Sequence, residues 1–210
     1  MSEPRDQHDE PLNFLELVQD EQFVPVLEKA IDVPADFLKS MYAEPRDAFL
    51  IVKAHAVFES LLNQLIEGRL PATAGFAWRL SMTGRASKPE LIRHMKLLEG
   101  NDLHFVEGLA KIRNRIAHVP RQLAEFSLLE EVRANEKTAA WLVASLRREG
   151  SDDYQAKMAT LVRARPRLFF SLASYVYMWR LSAQKSKAQL AAAGLGNEVV
   201  EALLDKGFSK

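Results

Sequence analysis

Apolar residues recur along most of this chain at intervals of three and four residues, the spacing that gathers them on one face of an α-helix. The segment from residue 46 to residue 70 shows the pattern through Phe49, Val52, Ala56, Leu62, Leu65 and Ile66. Glycines and prolines are sparse and stand between such segments. No segment alternates apolar and polar residues as a half-buried strand does. The pattern predicts an all-α protein.

Capping and breaking residues set the expected ends of these helices. Ser87 is expected to cap the helix that follows it, and Gly100 to end that helix. Asp32, and Asn101 or Asp102, are candidate N-caps for the helices after them. Beyond a disordered start, the expected helices span residues 12–20, 22–31, 34–42, 46–70, 87–99, 103–118, 122–134, 136–148, 152–164, 166–192 and 197–206.

Composition narrows the class of protein. With 210 residues, 48% of them apolar, the chain can bury a sizeable core. Lys plus Arg and Asp plus Glu are both 28, so the net charge is zero and the surface is not uniformly basic. The absence of cysteine excludes disulfides, cysteine-ligated metals and thiol nucleophiles. The polar, acidic start is unlike a signal peptide, and no apolar run approaches the roughly 20 residues that span a membrane. We therefore expect a soluble, cytoplasmic protein.

The helix from 103 to 118 carries the residues with the most chemical interest. Its apolar stripe, expected to pack into the core, consists of Phe105, Leu109, Ile112 and Ile116. Arg113 lies at the edge of that stripe, while Asn114 and His118 lie on the polar side. Only Ala110 and Ala117 separate them, and such small residues allow another helix or a phosphate to approach closely. The helix is expected to present this polar trio on one flank.

The string Arg-Asn-Arg-Ile-Ala-His at 113–118, at the end of a helix, resembles the Arg-Asn-x-x-x-His signature of HEPN domains. The long helix containing Phe-Glu-Ser-Leu-Leu at 58–62 resembles the first helix of that fold. Leu80-Ser81 and the helix that reaches Gly100 resemble the short second helix. The resemblance covers about residues 45–150.

The resemblance implies an up-and-down four-helix bundle, with extra helices at both ends. The expected divisions are an acidic tail and helical arm at 1–44, the bundle at 45–150, and a helical extension packed on it at 151–210. It also implies a homodimer formed through the signature helices, each protomer supplying an Arg and a His to a shared cleft. Active HEPN proteins cut RNA without a metal or other cofactor and generally leave a cyclic phosphate.

These residue types suit that chemistry. Attack by a 2′-hydroxyl needs a base for its proton and an acid for the departing 5′-oxygen, and His118 can fill either role. The guanidinium of Arg113 can contact the charged phosphate oxygens of the transition state. Asn114 either orients His118, donates to phosphate, or packs at the dimer seam. The expected catalytic residues are therefore Arg113, Asn114 and His118.

Other polar residues are weaker candidates. His55 and Glu59 stand four apart on the long helix and form either an auxiliary site or an ordinary exposed pair. Arg115 is expected to point away from the trio, and Arg163, Arg165 and Arg167 form a basic cluster. These arginines either contact RNA or are solvated. No spacing of Glu and His matches a carboxylate-bridged metal site in a helix bundle, so no metal is expected.

Two functions from different classes remain open. The first is a metal-independent endoribonuclease of HEPN type acting as a toxin or in antiviral defence, with RNA as substrate and an antitoxin or regulatory protein as a further partner. The second is a non-catalytic module that binds RNA, a nucleotide or a protein. A regulatory all-α dimer that happens to carry the motif is a third possibility. Cleavage of RNA in EDTA distinguishes the first from the others.

Overall fold

The computed structural model describes residues 22–70, 75–98, 100–145 and 152–192. The helices expected at 12–20 and 197–206 lie outside these ranges. Within them the chain is helical, apart from a single bridge between Ser81 and Ser87, and no strand is found there. The expectation of an all-α fold is therefore confirmed.

The α-helices of the described residues follow the predicted order closely. They are α1 Phe23–Ala30, α2 Phe37–Tyr42, α3 Asp47–Arg69, α4 Lys88–His94, α5 Gly100–His118, α6 Pro120–Glu125, α7 Leu128–Ala134, α8 Glu136–Ser145, α9 Asp152–Ala164 and α10 Pro166–Ala192. A short 3-10 helix, Ala77–Arg79, lies between α3 and α4.

Three expectations for the helix bounds are wrong. The helix expected at 122–134 is divided into α6 and α7, because Ser127 caps α7 by accepting from the N–H of Glu130. Gly100 is the first residue of α5, whereas α4 already ends at His94. Asp102 lies inside the first turn of α5, where its buried carboxylate accepts a hydrogen bond from Arg180 Nη1 at 3.0 Å. Because this partner comes from α10, a local capping pattern does not reveal the role of Asp102.

The cap of α2 is also not the expected Asp32, which lies in a left-handed turn after α1. The cap comes instead from Glu28 of α1, which is buried. Its carboxylate accepts from the backbone N–H of Leu38 at 2.7 Å and of Asp36 at 3.0 Å. Free N–H groups at a helix start attract a carboxylate, so Glu28 fastens α2 to α1.

Phe105 of α5 lies at the centre of the core. Its ring stacks on Tyr177 of α10, with ring centroids 4.4 Å apart, and meets Phe58 of α3 edge-on at 5.4 Å. It also meets Trp141 of α8 and Phe170 of α10, at 6.0 and 6.2 Å. Since α3, α5, α8 and α10 each pack on the next around this ring, they form a four-helix arrangement.

Two of these four helices run parallel. At the start of α3, Asp47 pairs with Arg167 at the start of α10. Further along both helices, Gln64 Oε1 accepts from Lys185 Nζ at 2.7 Å. The first and last of the four, α3 and α10, therefore run in the same direction, whereas strict alternation in chain order would make them antiparallel.

The last expected segment, 151–210, thus contributes a principal core helix. Phe170, Tyr177 and Met178 of α10 are buried at 1% exposure or less. Among the helices of the described ranges, α3 alone is long and apolar enough to span a membrane by length and composition. Most of its apolar window is already buried inside the fold, as in the core helices of soluble proteins.

Candidate functional site

Helix α5 carries Arg113, Asn114 and His118 and packs against α3, α4, α6 and α8. Ala110, expected on a flank open to another chain, is fully buried inside the fold, whereas Ala117 is exposed. The expected small-residue flank is therefore wrong at Ala110, because intramolecular packing already uses that position.

Arg113 and Asn114 interact directly. Arg113 Nη1 donates to Asn114 Oδ1 at 3.1 Å, and both side chains are half-buried. This hydrogen bond directs the carboxamide oxygen of Asn114 to the guanidinium. Among the described residues, Asn114 has no contact with His118, and its hydrogen bond is with Arg113.

Three polar residues of α3 and α4 form a connected group within electrostatic range of Arg113. Lys88 Nζ, fully buried, donates to Glu59 Oε1 at 2.5 Å. His55 is also buried, and its Nδ1 lies 3.9 Å from Glu59 Oε2. We call His55, Glu59, Lys88, Arg113 and Asn114 the polar cluster. It holds two cations and one carboxylate.

The state of His55 follows from its surroundings. Burial lowers the pKa of His55 from its usual 6.5 to about 4; Glu59 opposes this shift, while the positive charges of Arg113 and Lys88 add to it. His55 is therefore neutral at pH 7, and its contact with Glu59 is not a salt bridge. The same effect shows that Arg113 is close enough to His55 to influence it. The Nε2 atom of His55 is buried without a hydrogen-bond partner among the described residues.

The start of α4 places Lys88 in the cluster. Ser87 Oγ accepts from the N–H of Glu90, which makes Ser87 the N-cap that the sequence predicted. The N–H of Lys88 donates to Ser81 O at 2.8 Å, which closes the loop between them. Sequence analysis missed Lys88. A lysine in the first turn of a helix, where the macrodipole disfavours a cation, was the available signal.

His118 lies apart from the polar cluster. It is exposed at the last residue of α5 and forms no hydrogen bond or ion pair with a described residue. On an ideal helix it projects about 140° around the axis from Arg113. One chain thus presents an arginine held in place and a histidine free to meet another molecule.

The remaining basic candidates differ from one another. Arg115 pairs with Glu131 of α7. Arg167 is bound by Asp47 Oδ1 at 2.8 Å and by the carbonyls of Tyr42, Glu44 and Pro45. These acceptors make Arg167 a structural residue that fastens the start of α3 to α10. Arg163 and Arg165 are exposed, so contact with RNA at these two remains a prediction.

A cleft of about 440 Å³ opens on the other side of α5, between α5, α7 and α8. We call it the α5–α8 cleft. Its lining includes Ile112, Trp141, Lys111, Lys137, Arg115 and Glu131. The indole of Trp141 lies across Gly108, where an added Cβ would stand only 2.8 Å from Cζ2 of the ring. Glycine at this helical position is therefore explained by the close approach of Trp141.

Within the described ranges, no three His, Asp or Glu side chains converge to bind one metal ion. Comparisons of the chain with protein-family models, with curated proteins and with solved structures found no match.

Proposed function

We propose that the protein is a metal-independent endoribonuclease of HEPN type that works as a homodimer in the cytoplasm, as a toxin or in antiviral defence. The polar cluster holds an RNA phosphate through Arg113. His118 transfers the proton during attack by the 2′-hydroxyl on phosphorus. The 5′-oxygen leaves with a proton, and the upstream fragment keeps a cyclic phosphate.

One observation carries the proposal: Arg113, which is held by Asn114, and the buried Lys88 both act on His55, and Glu59 is the one carboxylate of this polar cluster. An excess of positive charge in a half-buried site favours an anion such as phosphate. Arginine suits this role because its planar guanidinium can contact two phosphate oxygens at once. The neutral His55 adds no competing charge.

The dimer supplies what one chain lacks. General acid and general base catalysis need two groups in different protonation states, and the described part of one chain presents only His118 at this helix end. A second copy brings a second His118. The exposed position of that imidazole leaves it accessible to a partner chain and its bound RNA. A regulatory or antitoxin protein that covers this end of α5 would block the site.

The test is cleavage of total RNA in EDTA by the parent protein and by Arg113→Ala and His118→Ala. We expect each variant to lose at least about 100-fold in rate, the usual contribution of a proton-transfer or charge-stabilising group. His94→Ala and Arg133→Ala are matched controls, since both side chains are exposed and lie outside the cluster. Cleavage by His118→Ala at the parent rate would contradict the assignment.

A mixture of the parent chain with His118→Ala tests the shared site. If one site needs His118 of both chains, mixed dimers are inactive, and the activity falls as the square of the parent fraction. If each chain uses its own His118 alone, the activity falls in proportion to the parent fraction.

A second candidate is a non-catalytic module that binds RNA or a nucleotide. The observation that favours it is the hydrogen bond of Asn114 to Arg113, which leaves His118 with no orienting partner in the described chain. Such a module binds RNA in EDTA without cutting it, and loses affinity in Arg113→Ala but not in His118→Ala.

A further inference from the structure

The α5–α8 cleft combines an aromatic surface with charges that have no partner. Both of its carboxylates are ion-paired: Glu107 lies 2.6 Å from Arg93, which it shares with Glu90, and Glu131 pairs with Arg115. The two lysines at the cleft, Lys111 and Lys137, form no ion pair with any residue in the described ranges. The cleft is therefore positively charged overall.

Trp141 provides the apolar part of the cleft. Its indole is held by Gly108 on α5 and by the edge of Phe105 in the core, so its orientation is fixed before any ligand arrives. Ile112 and Ala144 extend this apolar surface. A rigid indole next to unpaired ammonium groups fits a ligand that is flat and aromatic at one end and anionic at the other.

The position of the cleft on α5 relates it to His118. Lys111 and His118 are about two turns apart, so they project in nearly the same direction and lie about 10 Å apart along the helix axis. The exposed side of α5 therefore leads from the cleft to the proposed proton-transfer residue. A nucleotide bound in the cleft and a phosphate near His118 can belong to one RNA strand.

We propose that the α5–α8 cleft binds a nucleotide unit, with its base packed on Trp141 and its phosphate held by Lys111 and Lys137. The relation of the cleft to His118 rests on the proposed function, whereas the kind of ligand follows from the residues of the cleft alone. The unit is either a free nucleotide or one nucleotide of an RNA strand, since both offer a base and a phosphate.

The test is tryptophan fluorescence during titration with AMP, adenosine, inorganic phosphate and a short RNA whose 2′-hydroxyls are methylated so that it cannot be cut. We expect AMP and the RNA to quench fluorescence, and Trp141→Phe to remove that change. Adenosine and phosphate alone should bind at least roughly tenfold more weakly than AMP, because each keeps only one part of the ligand. If the RNA binds more tightly than AMP, the cleft is a subsite for one nucleotide of a strand. If AMP binds more tightly than the RNA, the cleft is a site for a free nucleotide.

Surface variants keep the test independent of folding. Lys111→Gln and Lys137→Gln should each weaken binding of the RNA and lower the slope of log affinity against log salt by about 1. Lys39→Gln, an exposed lysine of α2, is the matched control. Binding that is unchanged in both cleft variants, or phosphate binding as tight as that of AMP, would overturn the proposal.

Comparison of the parent protein with His118→Ala separates this inference from the proposed function. If both proteins bind the nucleotide and neither cuts RNA, the cleft is supported and the proposed nuclease activity is contradicted. If RNA cleavage is unaffected by Trp141→Phe, Lys111→Gln and Lys137→Gln, and AMP causes no quenching, the nuclease is supported. Nucleotide binding in the cleft is then contradicted.

Discussion

Arg113 Nη1 lies 3.1 Å from Asn114 Oδ1, so the second residue of the signature motif holds the first. Neighbouring residues on a helix project about 100° apart, and this contact therefore fixes the guanidinium in a direction that packing alone does not impose. Under the proposed function, Asn114 therefore positions Arg113, and His118 acts at a separate point on the same helix.

Replacement of Asn114 by Ala should lower kcat/KM for RNA cleavage by about 10- to 150-fold, because a hydrogen bond to a charged group contributes about 1.5–3 kcal/mol. The pH profile of kcat should stay unchanged, since His118 does not depend on Asn114. The measurement is the rate over pH 5–9 for the parent and the variant. If the part of the pH profile that reports the titration of a histidine shifts in the variant, Asn114 orients His118 instead.

Replacement of Glu59 by Gln should destabilise the fold by about 3 kcal/mol, because it leaves the buried ammonium of Lys88 without its charge partner. Chemical denaturation measures this loss. Glu90→Gln is the matched control: its partner Arg93 is exposed, so less than about 1 kcal/mol is expected. Restoration of stability when Lys88→Met is added to Glu59→Gln would confirm the cause, and a fully stable Glu59→Gln would refute it.

Folding stability should fall as the pH drops from about 6.5 to about 4, in part because of His55. Its pKa is about 4 in the folded chain and near 6.5 when exposed, so the unfolded state binds more protons between these values. The contribution reaches up to about 3 kcal/mol at the acid end. His55→Phe should flatten the stability profile over this window, whereas replacement of the exposed His94 should not. Equal profiles for His55→Phe and the parent would contradict the burial of a neutral His55.

Replacement of Gly108 by Ala should destabilise the protein by about 1–3 kcal/mol, although alanine is the better helix former. The reason is the clash of the new Cβ with the ring of Trp141. Gly100→Ala is the control, because nothing lies within 4 Å of a Cβ at that position. Thermal unfolding should show a lower Tm for the first variant only, and an unchanged Tm for Gly108→Ala would place Trp141 elsewhere.

Much of the fold follows from the sequence because helix periodicity and capping are local properties. Ser87 is the cap that its position predicts, and the bounds of α9 and α10 agree with the pattern. The errors arise where a residue distant in sequence determines the contact. Asp102 accepts a hydrogen bond from Arg180, and the side chain of Glu28 caps a helix through a residue ten positions further along the chain.

The residues of the candidate site also fall into those that the sequence predicted and those that depend on distant contacts. The motif pointed to Arg113, Asn114 and His118, and the spacing of His55 and Glu59 indicated a shared face. Lys88 was missed because its burial depends on the loop closed at Ser81, and Arg167 looked like a basic surface residue although backbone carbonyls bind it. The α5–α8 cleft arises between helices far apart in sequence, so only Gly108 inside a helix hinted at it.

The most direct measurement is the reaction of the purified protein with a short RNA in EDTA, with analysis of both new ends. Cleavage that leaves a 2′,3′-cyclic phosphate and a 5′-hydroxyl, and that stops in His118→Ala and when the target nucleotide carries 2′-deoxyribose, is the predicted result. Absence of cleavage by the parent protein, or equal cleavage of the deoxy substrate, would contradict the account.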